Sequence, residues 1–293
     1  MRHISTVATL GLLLLVSVTG ASGQAAAPRP ATPPVQVGQK DGFFTTSDGI
    51  KIHYLTLGDT GSWVVLIHGY SDSAQRMWFN TLIAPEIAKH HRVVAIDNRN
   101  HGQSDKPVPG GSGRAQDTVE LMDHLKIQKA HIHGYSMGGG IVGQLLGMIP
   151  DRFITAGFGG SGMTETDAKF RAEAEAMDDA LPKATGADAE GMDRFRSRVA
   201  AARPAGSPAA ATTTAPPAAP SVDLTKLTIP ILAVNGSFDN PYRKSHRLWR
   251  EVQTFQNVIL PGKTHLTAIA AGASPSREYV NAIAGFIDTY DSK

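Results

Sequence analysis

The chain contains no cysteine. A disulfide framework is therefore excluded, and so is a lipid-bearing cysteine. Stability has to come from an apolar core. A basic stripe is also missing: net charge is +2, with Lys and Arg scattered along the sequence, which argues against nucleic acid as a partner. Charged residues make up 18% of the chain against 41% hydrophobic. At 293 residues that balance supplies a sizeable core for one large domain or two small ones. No internal repeat is present.

The N-terminal apolar run is too short for a membrane span. Val7 to Val18 falls below the roughly 20 residues that a spanning helix needs. Arg2 and His3 precede it, and the small residues Ala21-Ser22-Gly23 follow it. This is the pattern of a signal peptide over residues 1–23, removed near Gln24, with an uncleaved anchor as the alternative. It sets the expectation of a secreted or periplasmic protein. Ala25 to Gly38 carries four prolines and little that can pack, so residues 24–41 read as a flexible leader. The folded part is then expected over residues 42–293.

What is present there is an alternation of strand-like and helix-like segments. Gly42 to Thr46 and Lys51 to Gly58 read as strands joined by the turn Ser47-Asp48-Gly49. Trp63 to Ile67 is a continuous apolar run, the signature of a central strand buried on both faces. Further strands are expected at Arg92 to Ile96, Ala130 to His133, Phe153 to Phe158, Ile229 to Asn235 and Phe255 to Leu260. Helical spacing marks Trp78 to His90, Gln116 to Leu125, Gly138 to Ile149 before Pro150, and Glu278 to Tyr290. The last helix lines up Tyr279, Ile283, Phe286 and Ile287 on one face. The fold class is α/β, with a mostly parallel central sheet flanked by helices. One region breaks the alternation. Thr164 to Ala202 is helix-prone and charged, and Arg203 to Pro220 is almost entirely Ala, Pro, Thr, Ser and Gly, too poor in apolar residues to order itself. Both lie between expected strands, so they form an insertion over about residues 160–222.

Glycines crowd one hydroxyl in Gly134-Tyr135-Ser136-Met137-Gly138. A strand that turns at once into a helix forces the residue at the turn into an unfavourable conformation and brings its neighbours into contact, and glycine tolerates both. Ser136 would then stand above a helix start whose free amides favour negative charge. Alone the motif is a weak signal in a chain with 30 glycines, but its place between a strand and a helix strengthens it as a nucleophile elbow.

A serine needs a base to take its proton, and the base needs a carboxylate to orient it. The chain offers 11 histidines. His3 lies in the signal segment, His90 and His91 end a helix and read as solvated, and His246 shares a helix with Arg243, Lys244 and Arg247 that reads as a solvated face. His131 and His133 share a face of one strand; with no carboxylate or further histidine nearby in sequence they read as core residues rather than a metal pair. His265 stands apart in the loop Pro261 to Leu266, between the last strand and the last helix, where ligand-end loops of such sheets meet. The acid with the matching position is Asp239, in the loop Gly236 to Pro241, although an Asp before Pro also caps helices. Backbone donors for an oxyanion are expected from Met137, which follows the serine, and from Tyr70, in the loop after the central strand. His68 reads as a residue that fixes that loop.

These pieces, with Asp97 to Pro107 (DNRNHGQSDKP), resemble the α/β-hydrolase superfamily in its serine esterase and lipase-like branch, over about Gly42 to Tyr290. The resemblance implies a triad of Ser136, Asp239 and His265, and a structural turn at Asp97 to Ser104. It implies cleavage of a small-molecule carboxylic ester through an acyl-enzyme, with no cofactor and no metal. Lactone opening, peracid formation and carbon–carbon bond cleavage use the same residues, and so does a receptor-like protein with little turnover. Two features depart from the family pattern. Half of the usual compact cap is replaced by the Pro/Ala/Thr stretch. Relatives that act on haloalkanes or epoxides often carry aspartate where this chain has Ser136, which sets those activities aside.

Overall fold

The computed structural model describes residues 36–107, 113–201, 222–271 and 274–291. The expected signal peptide, most of the expected leader and the stretch Arg203 to Pro220 lie outside the described residues. The strands that build the main sheet are β1 (Lys40–Thr45), β2 (Lys51–Leu57), β3 (Trp63–Ile67), β4 (Arg92–Ile96), β5 (Ala130–Tyr135), β6 (Phe153–Gly159), β7 (Ile231–Gly236) and β8 (Phe255–Leu260). They lie in the order β1-β2-β4-β3-β5-β6-β7-β8. β2 pairs antiparallel with β1 and β4, and the other neighbours are parallel. β1 begins at Lys40, two residues before the expected Gly42 and inside the expected leader.

The helices are α1 (Ile83–Ile87), α2 (Arg114–His124), α3 (Met137–Met148), α4 (Ala168–Asp179), α5 (Gly186–Ala201), α6 (Pro241–Glu251) and α7 (Arg277–Tyr290). The alternation of side chains along β3 creates two cores. Val65 and Ile67 pack with Leu121 of α2, Leu145 of α3 and Leu248 of α6. Val64 and Leu66 pack with Ile83 of α1 and with Tyr279, Ile283, Phe286 and Ile287 of α7, the face expected from sequence. All four of these β3 side chains are fully buried. Each such burial stabilises the fold by about 1.5–3 kcal/mol. The parallel strands all end at one edge, and the loops leaving that edge carry the candidate chemistry.

Two expectations are corrected. The expected helix Trp78 to His90 is broken into one wide π-helical turn, Gln75–Phe79, and the short α1. Pro85 has no N–H to offer the Thr81 carbonyl, so a continuous helix is barred, and the chain restarts through Leu82 at φ 63°. The histidines expected to be solvated divide. His90 is exposed, but His91 is buried, bonded to Ser62 and Asp288. His246 is buried as well: Glu165 accepts a hydrogen bond from its Nδ1 and two from Arg250. Arg247 is likewise covered, donating to Glu251 and to the Val222 carbonyl. The charged pattern of α6 reads as a wet face because the chain that covers it, around Glu165 and Val222, comes from distant sequence.

Burial is the largest cause that pushes His68 and His131 down to about 4, helped by the neighbouring His101 and His91 respectively, and it alone pushes His133 to about 3. His133 is held neutral between strand and helix by the Tyr279 hydroxyl at 2.7 Å, and His131 meets Thr155 Oγ1 at 2.8 Å. A histidine whose folded value is depressed binds its proton more readily when unfolded. Stability present above the ordinary value of 6.5 is therefore lost as pH falls towards 4 and 3. The urea midpoint is expected to fall between pH 7 and pH 4, and His133→Gln to flatten that dependence; parallel curves for the two proteins would refute this account.

Candidate active site

The turn after β5 has the geometry that the glycine spacing demands. Ser136 sits at φ 55° and ψ −114°, a strained conformation for a residue with a side chain. Its amide donates to the Gly159 carbonyl at 2.8 Å, and its own carbonyl accepts from Gly140 at 3.2 Å, opening α3. A Cβ at Gly134 would lie 2.2 Å from the Gly138 carbonyl oxygen, and one at Gly138 would lie 2.1 Å from that of Ile67. Neither backbone oxygen can move without breaking the sheet or the helix. The serine is therefore presented at the strand edge because both flanking positions lack side chains.

The acid and histidine loops are stitched to each other. Ser237 N donates to the Leu260 carbonyl and Phe238 N to that of Lys263, both at 2.9 Å. Gly262 N returns a bond to Ser237 Oγ at 2.9 Å. Thr264 closes the turn that follows, accepting from Leu266 N and Thr267 N at its hydroxyl. The result is a line of side chains. His265 Nδ1 lies 2.8 Å from Asp239 Oδ2, and His265 Nε2 lies 2.9 Å from Ser136 Oγ. Asp239 and His265 are 11% and 12% exposed, enough to meet a small ligand and too little to be freely hydrated.

The loop after β3 approaches from the other side. The Gly69 amide donates to Met77 Sδ at 3.2 Å, and a Cβ at Gly69 would stand 3.3 Å from that of Ser136. The next residue, Tyr70, lines the same cavity as Ser136 and His265. Met137 occupies the first position of α3. His68 donates from Nδ1 to the Gly69 carbonyl at 2.7 Å, while its Nε2 accepts from the Asn98 amide at 3.1 Å. Asp97 holds the loop further along, accepting from Ala74 N, Gln103 N and His53 Nδ1. The turn from Asp97 to Ser104 thus braces the loop that carries Tyr70.

Three neighbours of the site escape the sequence reading. The Tyr135 hydroxyl donates to the His265 carbonyl at 2.5 Å. Phe195 of α5 lays its ring 5.6 Å from that of His265, tilted by 34°. Lys244 Nζ lies 2.6 Å from Asp239 Oδ2. Tyr135 adjoins the serine and was open to suspicion. Lys244 follows Asp239 by five residues across a helix start, a spacing that folds it back onto the loop. Phe195 leaves no signal, because nothing in sequence says which way the insertion folds. Electrostatically, burial disfavours the Asp239 charge, but the hydrogen bond from His265 and the Lys244 ammonium outweigh it and hold the carboxyl below its ordinary value. Burial draws Lys244 below its own ordinary value in spite of Asp239. The cavity holds about 290 Å³ and is closed on its apolar side by Met77, Phe195, Leu266 and Ile269. Among the described residues no group of three or more His, Asp or Glu is arranged to hold a metal ion.

Sheet, elbow and loop placement together define the class. The profile of the alpha/beta hydrolase fold family matches residues 62–214, just over half of the chain, and the chain belongs to that family. It is 33% identical over 174 residues to the dihydrolipoyllysine-residue acetyltransferase component of the acetoin cleaving system of Cupriavidus necator, covering 54% of this chain and 46% of the relative. It is 36% identical over 90 residues to the esterase YbfF of Escherichia coli, covering 30% of this chain and 34% of that protein. The chain thus spans less than half the length of these curated relatives. In three dimensions it is similar to a thermophilic esterase from Thermogutta terrifontis, with a TM-score of 0.60, 19% identity, and coverage of 86% of this chain and 100% of the other.

The elbow geometry sets one expected outcome. Gly138→Ala drives a Cβ into the Ile67 carbonyl and should lower both the denaturation midpoint and the labelling of Ser136 by a fluorophosphonate probe. Gly140→Ala, where a Cβ meets nothing within 4 Å, should keep the labelling and gain about 0.5–1 kcal/mol in the helix. Equal behaviour of the two variants would contradict the steric reading.

Proposed function

We propose that this alpha/beta hydrolase cleaves carboxylic esters with Ser136 as nucleophile, His265 as general base and Asp239 as the acid that orients it. One observation carries the reading: the bonded line from Asp239 Oδ2 through the imidazole to Ser136 Oγ, at 2.8 and 2.9 Å. Ser136 Oγ attacks the ester carbonyl while His265 Nε2 takes its proton. The same imidazole then protonates the departing alcohol, leaving an acyl-enzyme. Water, deprotonated by His265, attacks the acyl carbon; the acyl–Oγ bond then breaks, the imidazolium returns the proton to Ser136 Oγ, and the carboxylic acid leaves. The tetrahedral oxyanion is held by the amides of Met137 and Tyr70, each worth about 10²–10³-fold in rate. Asp239 stays ionised and fixes the tautomer that leaves Nε2 free to accept. The steps need no cofactor. The 36% identity to the esterase YbfF over 90 residues supports an ester substrate.

The cavity is at the small end for ligand sites, which span roughly 300–1,000 Å³. Acetyl to butyryl aryl esters are therefore expected to turn over faster than octanoyl and longer ones. Ser136→Ala should reduce hydrolysis of these esters to background with the denaturation midpoint preserved. Undiminished turnover in that variant, or a stoichiometric burst without steady turnover in the wild type, would overturn the proposal.

We also infer export, supported by the order of Arg2 and His3, the apolar run Val7 to Val18 and the small residues Ala21-Ser22-Gly23. The intact mass of the protein recovered outside the cytoplasm should correspond to a chain beginning near Gln24; a mass that retains Met1 would count against it.

A further inference from the structure

The acid of the triad does not serve the histidine alone. Asp239 Oδ2 accepts from His265 Nδ1 at 2.8 Å and from Lys244 Nζ at 2.6 Å, so one oxygen faces both donors. Lys244 is 23% exposed along its side chain, and the ammonium is turned inward rather than into water. Its backbone is fixed from two directions. The Lys244 carbonyl accepts from Met163 N at 2.9 Å, and Gly162 lies so close that a Cβ there would be 2.0 Å from that oxygen. The two preceding amides, of Tyr242 and Arg243, both donate to the buried Asp178 carboxylate of α4 at 2.9 Å. A lysine held this firmly against a triad acid is a poor candidate for an incidental surface pair.

We propose that Lys244 is a positioning residue for His265 and acts through Asp239, an assignment that rests on the triad reading above. The second donor locks the carboxylate rotamer, so that the Oδ2 lone pair aimed at Nδ1 is kept in place between turnovers. The ammonium also offsets the carboxylate charge. A bare carboxylate favours the imidazolium and would keep the base protonated to higher pH. With Lys244 bonded to the same oxygen, the charge that faces the imidazole is reduced. Other charged or titratable groups face this cluster: Asp178 from α4, Arg243 with Nε 3.9 Å from Asp178, the Tyr135 hydroxyl from β5, and Asp72 and Arg76 across the cavity. Asp72 and Arg76 pair with each other at 3.6 Å, and Lys244 is the cation bonded to Asp239.

The test compares the full chain with Lys244→Met, which keeps the stem and removes the charge, and with Lys244→Arg, which keeps the charge. The His265 ring is followed against pH by NMR on protein labelled with ¹⁵N-histidine, its signal assigned by loss in His265→Gln. The acid limb of kcat/KM is followed in parallel with an acetyl aryl ester. In Lys244→Met both the ring midpoint and the acid limb should rise by about half a unit to one unit. In Lys244→Arg both should stay within about 0.2 of wild type, a restoration that packing alone does not explain. Should Lys244→Met fail to fold, Lys244→Gln carries the same expectation. An unchanged His265 midpoint in the charge-free variant overturns the role of Lys244 even where ester turnover is robust. Absence of ester turnover in the wild type overturns the ester reading instead, and leaves the ring titration to decide the lysine.

Discussion

The contact on which the rest depends is between backbone and backbone. The start of α3 lies against the end of β3 so closely that the Ile67 carbonyl occupies the space where a side chain at position 138 would be. That approach sets the height of Ser136 above the sheet edge, and through it the reach of His265. It is also what brings the β3 loop, with Gly69 and Tyr70, to within contact of the serine. Strain at Ser136 is sustained because the fully buried strands on either side leave the turn no room to relax.

Convergence then follows from strand direction. β3, β5, β7 and β8 run parallel, so the four loops that leave their ends emerge at one rim although they are separated by up to two hundred residues of sequence. Hydrogen bonds between the acid and histidine loops, and between Asp97 and the β3 loop, turn this rough neighbourhood into distances below 3 Å. The sheet supplies position and the loop bonds supply alignment. Charge is handled differently. Against burial, the hydrogen bond from His265 and the ammonium of Lys244 hold Asp239 below its ordinary value.

Much of this was legible from the chain alone, for physical reasons that can be named. Short continuous apolar runs such as Trp63 to Ile67, bounded by turn residues, fit a strand buried on both faces, and all the expected strands of the sheet form, most with ends shifted by one or two residues. Ser136, Asp239 and His265 could be picked because each follows a strand, and strand ends are fixed by pattern. What escaped reading lies where local pattern is silent. The break at Leu82 needed the missing N–H of Pro85 to be weighed against good helical spacing. The burial of His91, His246 and Arg247 depends on partners at Asp288, Glu165 and Val222, which no periodicity connects to them. Phe195 belongs to the same group, being near His265 only through the way the insertion packs, whereas Lys244 reaches Asp239 across the start of α6.

Asp178 gives the insertion a part in the architecture of the core. Helix α6 begins with Pro241, and the two amides that follow find their acceptor in a carboxylate from the helix laid across them. The end of a core helix is thus completed by a borrowed side chain. Such borrowing makes the segment less interchangeable than its surface location implies. A transplanted replacement would have to bring its own anion to this spot, or the recipient would carry two orphan donors next to the lysine that touches its acid.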